Sequence, residues 1–370
     1  MSSITPEDRA AMAESFRRLL AKHGTEADVR RSMATGTGYD PALWREIAAM
    51  GITGLIVAPE HGGIGGGPVE LERIMEEAGA ALLCGPLLAS GVLAAGLLGY
   101  SADEDAKQRL LPGIASGERI ATVALTGDAG TWTSEGVTMR ATPGASGWRL
   151  DGTASYVLAG NYADTLLVVA CTADGFRTFE VNAAQSGLMV TKLQSFDHTL
   201  RLARIELQDV AGQPIEGADW PVIEKALDLA RVALAGEQAG GSRRIFDITV
   251  EYIKSRIQFG RPIGGFQAIK HMAADLLVEV ESAVSAARHA AEALAETRAQ
   301  ADEMISLAAF ACADAFSQVA AAAIQMHGGI GFTWDHPAHL YLRRARADAQ
   351  LFGSPAFYRE RYVSVLERAA

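Results

Sequence analysis

Two segments in the last third of the chain carry residue types that suit the binding of a phosphate-bearing cofactor. An arginine guanidinium can bind phosphate oxygens with two parallel hydrogen bonds, and glycines let backbone N–H groups approach a ligand where a Cβ would clash. Amide side chains can add hydrogen bonds, and an aromatic ring can pack on the cofactor. Taken singly, each has an ordinary interpretation as a helix end or a turn. Jointly they favour a cofactor site made of Arg256, Phe259, Gln267, Gln325, Gly328 and Gly329.

The composition limits the possible partners. With 370 residues, of which 49% are hydrophobic and 21% are charged, the chain can bury a large core in two or three domains. A net charge of −11 argues against nucleic acid or an anionic membrane as partner. The widely separated Cys84, Cys171 and Cys312 predict buried thiols, with no disulfide and no metal site. No signal-peptide pattern and no apolar run of ~20 residues is found, so we expect a cytoplasmic protein and no membrane span.

The spacing of apolar residues predicts helices in the first third of the chain. Residues 1–118 are expected to form an N-terminal α-helical domain, because apolar side chains recur three and four positions apart, as at Leu71, Ile74, Met75 and Ala78. The glycine-rich stretch 58–67 is interpreted as a turn, because a dinucleotide-binding loop needs a strand before it.

The rest of the sequence predicts two further domains. Residues 119–214 contain short β-type runs, with a hairpin turn predicted at Asp151 and Gly152, and are expected to form a central antiparallel β domain. Residues 215–370 are helical again, with an apolar stripe that begins at Ile269 and a long alanine-rich helix over 302–324, which predicts a four-helix bundle. The fold class is therefore α+β multidomain: an N-terminal α-helical domain, a central antiparallel β domain and a C-terminal four-helix bundle.

This order of domains and these motifs resemble the acyl-CoA dehydrogenase family over almost the entire chain. The motifs at 256–260, 266–267 and 325–331 fall at the family's spacing, and 60–65, 76–79 and 151–164 resemble motifs of its first two domains. The resemblance implies FAD as cofactor and α,β-dehydrogenation of an acyl-CoA thioester. In that reaction a glutamate removes the α-proton while a hydride passes from the β-carbon to the flavin. It also implies that the six cofactor residues reach across a dimer interface and hold the adenosine end of a FAD whose ring lies in the neighbouring subunit.

The base that this reaction requires is missing. A base must come within about 3 Å of the proton that it removes. The resemblance places the usual glutamate at Phe352, and the position that some family members use instead at Ala230. Asp348 and Glu237 are substitute candidates, although their Cα atoms lie about 6 Å and about 10 Å along a helix from those two positions. Either carboxylate could equally be an ordinary solvated or helix-end charge.

The expected flavin-ring pocket also departs from the family pattern. Leu158 occupies the position where family members commonly have a threonine whose hydroxyl lies beside the flavin. A neighbouring loop is one residue shorter than in the family, and in it Thr131 could replace the family's serine. Asp228 and Arg231 match a pair that contacts the CoA moiety, so acyl-CoA binding stays open. They could equally form a structural ion pair within one helix.

These differences predict the partner subunit of a heteromeric (α2β2) acyl-CoA dehydrogenase, in which a second subunit supplies the glutamate and the flavin-ring pocket. Similarity to the base-lacking subunits of two-gene enzymes implies a bulky acyl-CoA of the steroid type as substrate. It also implies electron-transfer flavoprotein, or a similar protein, as electron acceptor. Three alternatives stay open: a self-sufficient homotetramer with a non-standard base, a flavin monooxygenase on the same fold, and a non-catalytic scaffold subunit.

Overall fold

The computed structural model describes residues 4–145, 147–297 and 299–369, and its N-terminal part is helical as predicted. Helices α1 and α2 each begin with a threonine and an aspartate three residues later that cap one another's backbone N–H groups. A buried π-helix, Leu87–Ala94, leads into α5. The helices are α1 (Pro6–His23), α2 (Glu26–Ala34), α3 (Pro41–Ala49), α4 (Pro68–Ala80), α5 (Ala95–Tyr100) and α6 (Glu104–Ala115).

A seven-stranded sheet follows, and most of its strand pairs are antiparallel. The predicted antiparallel sheet needs a correction at β4, which runs parallel to β1 and, at the pair Arg140 and Cys171, parallel to β2. Strand β5 pairs with both β4 and β7, so the path β4-β2-β3-β7-β5 closes on itself. The strands are β1 (Ala121–Ala124), β2 (Arg140–Gly144), β3 (Gly147–Leu158), β4 (Thr165–Thr172), β5 (Gly175–Asn182), β6 (Leu188–Lys192) and β7 (Leu202–Asp219).

The predicted hairpin turn at Asp151 and Gly152 is wrong. Both residues lie inside the continuous strand β3, and the chain reverses instead between Gly144 and Gly147, where β2 pairs with β3. Gly152 has a φ of +131°, and the register of β3 against β7 shifts at this point. A Cβ at Gly152 would approach the Thr138 carbonyl oxygen to 2.9 Å. The glycine therefore serves a bulge inside the strand.

The C-terminal part is a helical bundle in which three helices are long and two are short. Strand β7 ends at Asp219, whose side chain caps the first turn of α7. A two-stranded hairpin, β8 (Ile257–Gln258) and β9 (Arg261–Pro262), connects α7 to α8. The helices are α7 (Trp220–Ser255), α8 (Gln267–Ala295), α9 (Ala301–His327), α10 (Ala338–Asp348) and α11 (Pro355–Ala369).

Helix α9 is long and apolar enough to cross a membrane by length and composition, which the search for uninterrupted apolar runs had missed. Half of its apolar window is buried, and its apolar residues, among them Phe316 and Val319, pack in the bundle cores. These are features of the core helix of a globular bundle.

Glycines join the first domain to the bundle by letting α4 and α7 cross in backbone contact. A Cβ at Gly79 would lie 1.9 Å from the Glu237 carbonyl oxygen, and a Cβ at Gly240 would lie 1.8 Å from that of Glu76. No side chain fits at either position. The crossing fixes α7, and with it the residues that α7 carries toward both candidate sites.

Candidate functional site

Phe352, at the position of the expected base, is fully buried and packs against Trp132. Its side chain is 0% exposed, and the two rings meet edge to face with centroids 5.1 Å apart. The Trp132 indole N–H donates to the Gln350 carbonyl at 3.2 Å, which holds the indole on the turn after α10. Phe352 has a φ of +60°, in a region that phenylalanine rarely adopts. The turn thus directs an aromatic ring inward at the point where the family resemblance expects a carboxylate.

Two further expected positions of this half of the site, Leu158 and Ala230, also carry apolar side chains. Leu158 and Ala230 are buried in the same hydrophobic cluster as Trp132 and Phe352. Thr131 is exposed, and its carbonyl accepts a hydrogen bond from the Thr126 hydroxyl at 2.6 Å. None of the side chains of Trp132, Leu158, Ala230 and Phe352 can accept the α-proton, because none carries a basic atom.

Tyr358, which the sequence analysis missed, fixes the turn that carries Phe352. Its hydroxyl donates to the Phe352 carbonyl and accepts from Arg231 Nε at 2.6 Å. A Cβ at Gly353 would approach the Tyr358 ring to 2.8 Å, so this glycine is needed for the contact. The glycine after Phe352 was the only sequence signal, and it could not identify a partner five residues later.

Asp228 and Arg231 form the structural ion pair that the sequence analysis kept as an alternative to CoA binding. Arg231 Nη1 donates to Asp228 at 2.6 Å and to Glu224 at 2.7 Å, and only 2% of the arginine side chain is exposed. Burial raises the pKa of Asp228, and the Arg231 and Arg361 guanidiniums oppose that rise. Contact between Arg231 and a CoA molecule would require this network to open.

Glu237 and Asp348, the substitute bases, surround a buried arginine. Arg344 binds Glu237 at 2.7 Å, Asp348 at 3.4 Å and Asp197 at 3.9 Å, and donates to the Thr199 hydroxyl. Burial, followed by repulsion from Glu237, raises the pKa of Asp348 well above its ordinary value. The cluster joins α7, α10 and the segment before β7, so the contacts of both carboxylates are structural ones.

The six predicted cofactor residues lie at one end of the bundle, and all are exposed. Arg256 follows α7, Gln267 begins α8, and Gln325 lies in the last turn of α9. Phe259, in the β8–β9 hairpin, is 92% exposed at a φ of +53°. We call this set, Arg256, Phe259, Gln267, Gln325, Gly328 and Gly329, the exposed end face. Arg256 makes no ion pair with any residue in the described ranges.

Comparison with known proteins identifies the chain's relatives. Residues 6–118 match the acyl-CoA dehydrogenase N-terminal domain, and residues 217–363 match the acyl-CoA dehydrogenase C-terminal domain. The acyl-CoA dehydrogenase IpdE2 of Mycobacterium tuberculosis is 36% identical over 351 residues, which cover 95% of this chain and 94% of that protein. The chain belongs to the acyl-CoA dehydrogenase family. It is an oxidoreductase family that acts on CH–CH groups with FAD as cofactor.

Two solved heteromeric relatives share the fold of this acyl-CoA dehydrogenase. The ChsE4–ChsE5 complex of Mycobacterium tuberculosis contains a chain that superposes with a TM-score of 0.90 at 29% identity, covering 99% of both chains. A variant of the Tcur3481–Tcur3483 steroid acyl-CoA dehydrogenase gives a TM-score of 0.89 at 28% identity, covering 98% of both. The family assignment and the overall fold are thereby confirmed.

The exposed end face of this acyl-CoA dehydrogenase fits the nucleotide part of FAD. A Cβ added at Gly328 or Gly329 would meet no atom within 4 Å, so both glycines border open space. Arg256 offers a guanidinium that no carboxylate in the described part of the chain binds, and Gln267 and Gln325 offer exposed amides. One detail of the prediction changes: the Gly328 N–H already donates to the last carbonyls of α9. At φ +64° and ψ −142°, Gly328 instead supplies a backbone conformation that is essentially restricted to glycine.

Proposed function

We propose that this chain is the base-lacking subunit of a heteromeric acyl-CoA dehydrogenase and that it binds the nucleotide end of a flavin seated in its partner. The observation that carries the proposal is the buried Phe352–Trp132 contact at the expected base position. The exposed end face supports it from the other direction, because the Phe259 ring meets Phe266 edge to face with centroids 6.2 Å apart and is still 92% exposed, so most of its surface is free to pack on a ligand.

Each residue of the exposed end face has a proposed task. Arg256 binds the pyrophosphate with its fork of donors, and Phe259 packs on the cofactor. Gln267 and Gln325 donate to or accept from the nucleotide, while the Gly328–Gly329 turn lets it approach the backbone. FAD, when bound, accepts the hydride from the β-carbon of the acyl-CoA. The partner subunit supplies the glutamate and the walls of the flavin-ring pocket.

The relatives support the heteromeric assembly and the kind of substrate. One is described as the ChsE4–ChsE5 complex and another as a steroid acyl-CoA dehydrogenase made of two named chains. We therefore propose an α2β2 assembly that acts on a bulky acyl-CoA of the steroid type in the cytoplasm. Electron-transfer flavoprotein, or a similar protein, is the proposed acceptor of electrons from the reduced flavin.

The structure favours this function over the alternatives. A self-sufficient homotetramer would have to free Asp348 or Glu237 from Arg344. A flavin monooxygenase would still need a ring pocket in the space that Phe352 and Trp132 fill. A non-catalytic scaffold subunit differs from our proposal only at the exposed end face, which is where an experiment can separate the two.

The test is flavin content after co-expression with a family member that retains the glutamate. The isolated chain should be colourless, and the complex should contain one FAD for every two chains. Arg256→Ala should remove most of the bound FAD from the complex, and Arg256→Lys should retain part of it, because lysine keeps the charge but loses the fork. Arg18→Ala, which removes an exposed arginine of α1, is the matched control and should leave flavin content unchanged.

Three results would count against the proposal. Full flavin loading by the isolated chain would show that it holds a complete site. Unchanged flavin in the Arg256→Ala complex would favour the scaffold subunit. Loss of turnover in Asp348→Asn or Glu237→Gln, with folding and flavin intact, would favour the self-sufficient enzyme.

A further inference from the structure

A stack of three rings lies directly behind the Gly328–Gly329 turn and belongs to none of the sites described so far. Tyr252 in the last turn of α7, His327 at the end of α9 and His336 before α10 follow one another with centroids 4.4 Å and 4.2 Å apart. The Tyr252 hydroxyl donates to the His327 carbonyl at 3.3 Å. The stack thus joins three elements at the residue that immediately precedes Gly328.

Hydrogen bonds define the protonation state that this stack requires. His327 Nδ1 lies 2.7 Å from the Ala323 carbonyl, which can only accept, so Nδ1 carries the proton. His327 Nε2 is buried, with no partner among the described residues. The backbone N–H of Ala338, the first residue of α10, donates to His336 Nδ1 at 3.2 Å, so that nitrogen must be unprotonated. Both imidazoles are therefore neutral in this arrangement.

Protonation of either ring would disrupt the stack. A proton on His336 Nδ1 would set two donors, the ring N–H and the Ala338 N–H, against each other. A proton on His327 Nε2 would bury a charged donor without an acceptor, which is costly. Two charged rings at this distance would also repel each other. The charges on α2 do not stabilise a protonated ring, because the positive Arg30 lies beside the negative Glu26.

The ionisable groups around the stack come from every element packed against it. Burial is the main cause that lowers the pKa of His327, His336 and His339, and that of His339 falls to about 4. For His336, His327 and Arg30 lower the pKa further and Glu26 opposes them; for His339, Arg30 and Arg343 add to the effect of burial. The groups that contact the stack or act on these pKa values are Tyr252 of α7, Glu26 and Arg30 of α2, His327 of α9, His336 of the connecting segment, and His339 and Arg343 of α10.

We propose that His327 and His336 are positioning residues that hold the Gly328–Gly329 turn in its cofactor-binding conformation only while both imidazoles are neutral, so that the turn opens under mildly acidic conditions. A histidine with a lowered folded-state pKa favours folding fully above its unfolded value of about 6.5, and the contribution is lost as pH falls below that value. The opening of the turn is a property of this chain alone. Its consequence, acid release of the partner's flavin, rests on the proposed function.

Hydrogen exchange of the full-length chain tests the opening without a partner or a flavin. Backbone protection over 324–334 is measured at about pH 5 and about pH 7.5 and corrected for the intrinsic dependence of exchange on pH. The unmodified chain should lose about tenfold in protection at the lower pH, because each proton that binds to a ring favours the open turn. His336→Asn keeps an acceptor for the Ala338 N–H and His336→Phe keeps a ring in the stack. Neither side chain titrates, but His327 still does, so both variants should lose less protection than the unmodified chain, about threefold rather than tenfold.

His289→Asn, which removes an exposed histidine of α8, is the control and should respond as the unmodified chain does. Equal protection of the unmodified chain at both pH values overturns the proposal, as does an undiminished acid response in both His336 variants. In the co-expressed complex, flavin absorbance should fall below about pH 6, and it should fall less in His336→Asn, which removes one of the two titrating rings. If the turn opens at low pH while the complex keeps its flavin, the proposed link between opening of the turn and flavin release is wrong. A complex that binds no flavin at any pH contradicts the proposed function and leaves the exchange result standing.

Discussion

Introducing the family's carboxylate at the expected base position should destabilise this chain and give it no activity. In Phe352→Glu a side chain that is 0% exposed loses its ring and its edge-to-face contact with Trp132. Replacing a buried phenylalanine with a much smaller group costs about 3–5 kcal/mol. The new carboxyl would have to stay neutral in an apolar cluster. A rise of about three units in its pKa costs roughly 4 kcal/mol at pH 7. The sum approaches the whole stability of an ordinary domain, about 5–15 kcal/mol.

The sign of the pH dependence separates the two contributions. The carboxyl's folded-state pKa would be raised, so its part of the loss is absent below the unfolded value of about 4.3 and grows as pH rises. Urea denaturation at about pH 5 and about pH 8 should therefore show a larger deficit for Phe352→Glu at the higher pH. Phe352→Leu, which keeps the cluster apolar, should lose less than about 2 kcal/mol at both. The reasoning is refuted if the isolated Phe352→Glu chain is as stable as Phe352→Leu and binds FAD or oxidises an acyl-CoA.

Three further substitutions test the packing around the sites. Glu72 is buried with no hydrogen-bond partner for its carboxylate within the described ranges, and its pKa is raised to about 8, mainly by burial. Glu72→Gln should therefore gain stability over the unmodified chain as pH rises from about 5 to about 8, by roughly 1.4 kcal/mol per unit of pKa displacement, in urea titrations; a pH-independent difference would contradict this. Tyr358→Phe removes the hydroxyl that bridges Arg231 and the Phe352 carbonyl, so thermal unfolding should show a loss of about 1–3 kcal/mol, and an unchanged melting temperature would refute the bridge. Gly240→Ala should separate α4 from α7 and cost more than about 3 kcal/mol, whereas Gly99→Ala, with nothing within 4 Å of its Cβ, should be nearly neutral; similar losses in both would contradict the backbone crossing.

Much of the helical organisation could be predicted from sequence because it depends on local patterns, whereas the missing base is implied by the family resemblance and stays a prediction. A few neighbouring residues are enough to recognise helical spacing, a glycine after a helix or the residue at a motif position. The same local evidence failed at Gly152. An Asp-Gly pair is a strong turn signal, but here the glycine relieves a close approach to the Thr138 carbonyl inside a strand.

The contacts around the candidate sites lay beyond sequence reasoning because they join distant positions. Arg231 and Tyr358 are 127 residues apart, and Arg344 and Glu237 are 107 residues apart. The sequence could name Asp348 and Glu237 as carboxylates near the expected base. It could not show that one buried guanidinium binds both. The ring stack behind Gly328 was hidden for the same reason, since His327 and His336 look like ordinary polar residues of a loop.

The expected ring pocket is buried and apolar, whereas the exposed end face is open to solvent. This difference gives a physical reason for assembly with a different subunit. Apolar side chains in the expected ring pocket stabilise the isolated chain by about 25 cal/mol for each Å² that they bury. The exposed end face does the opposite, since the 92% exposed ring of Phe259 gains nothing from water and a φ of +53° is unfavourable for phenylalanine. Under the proposed function, two copies of this chain would each present such a face and neither would present a flavin to it. In the proposed heteromer, a partner with an intact ring pocket would satisfy both conditions at once, because its flavin would bring a nucleotide to Arg256 and a surface to Phe259.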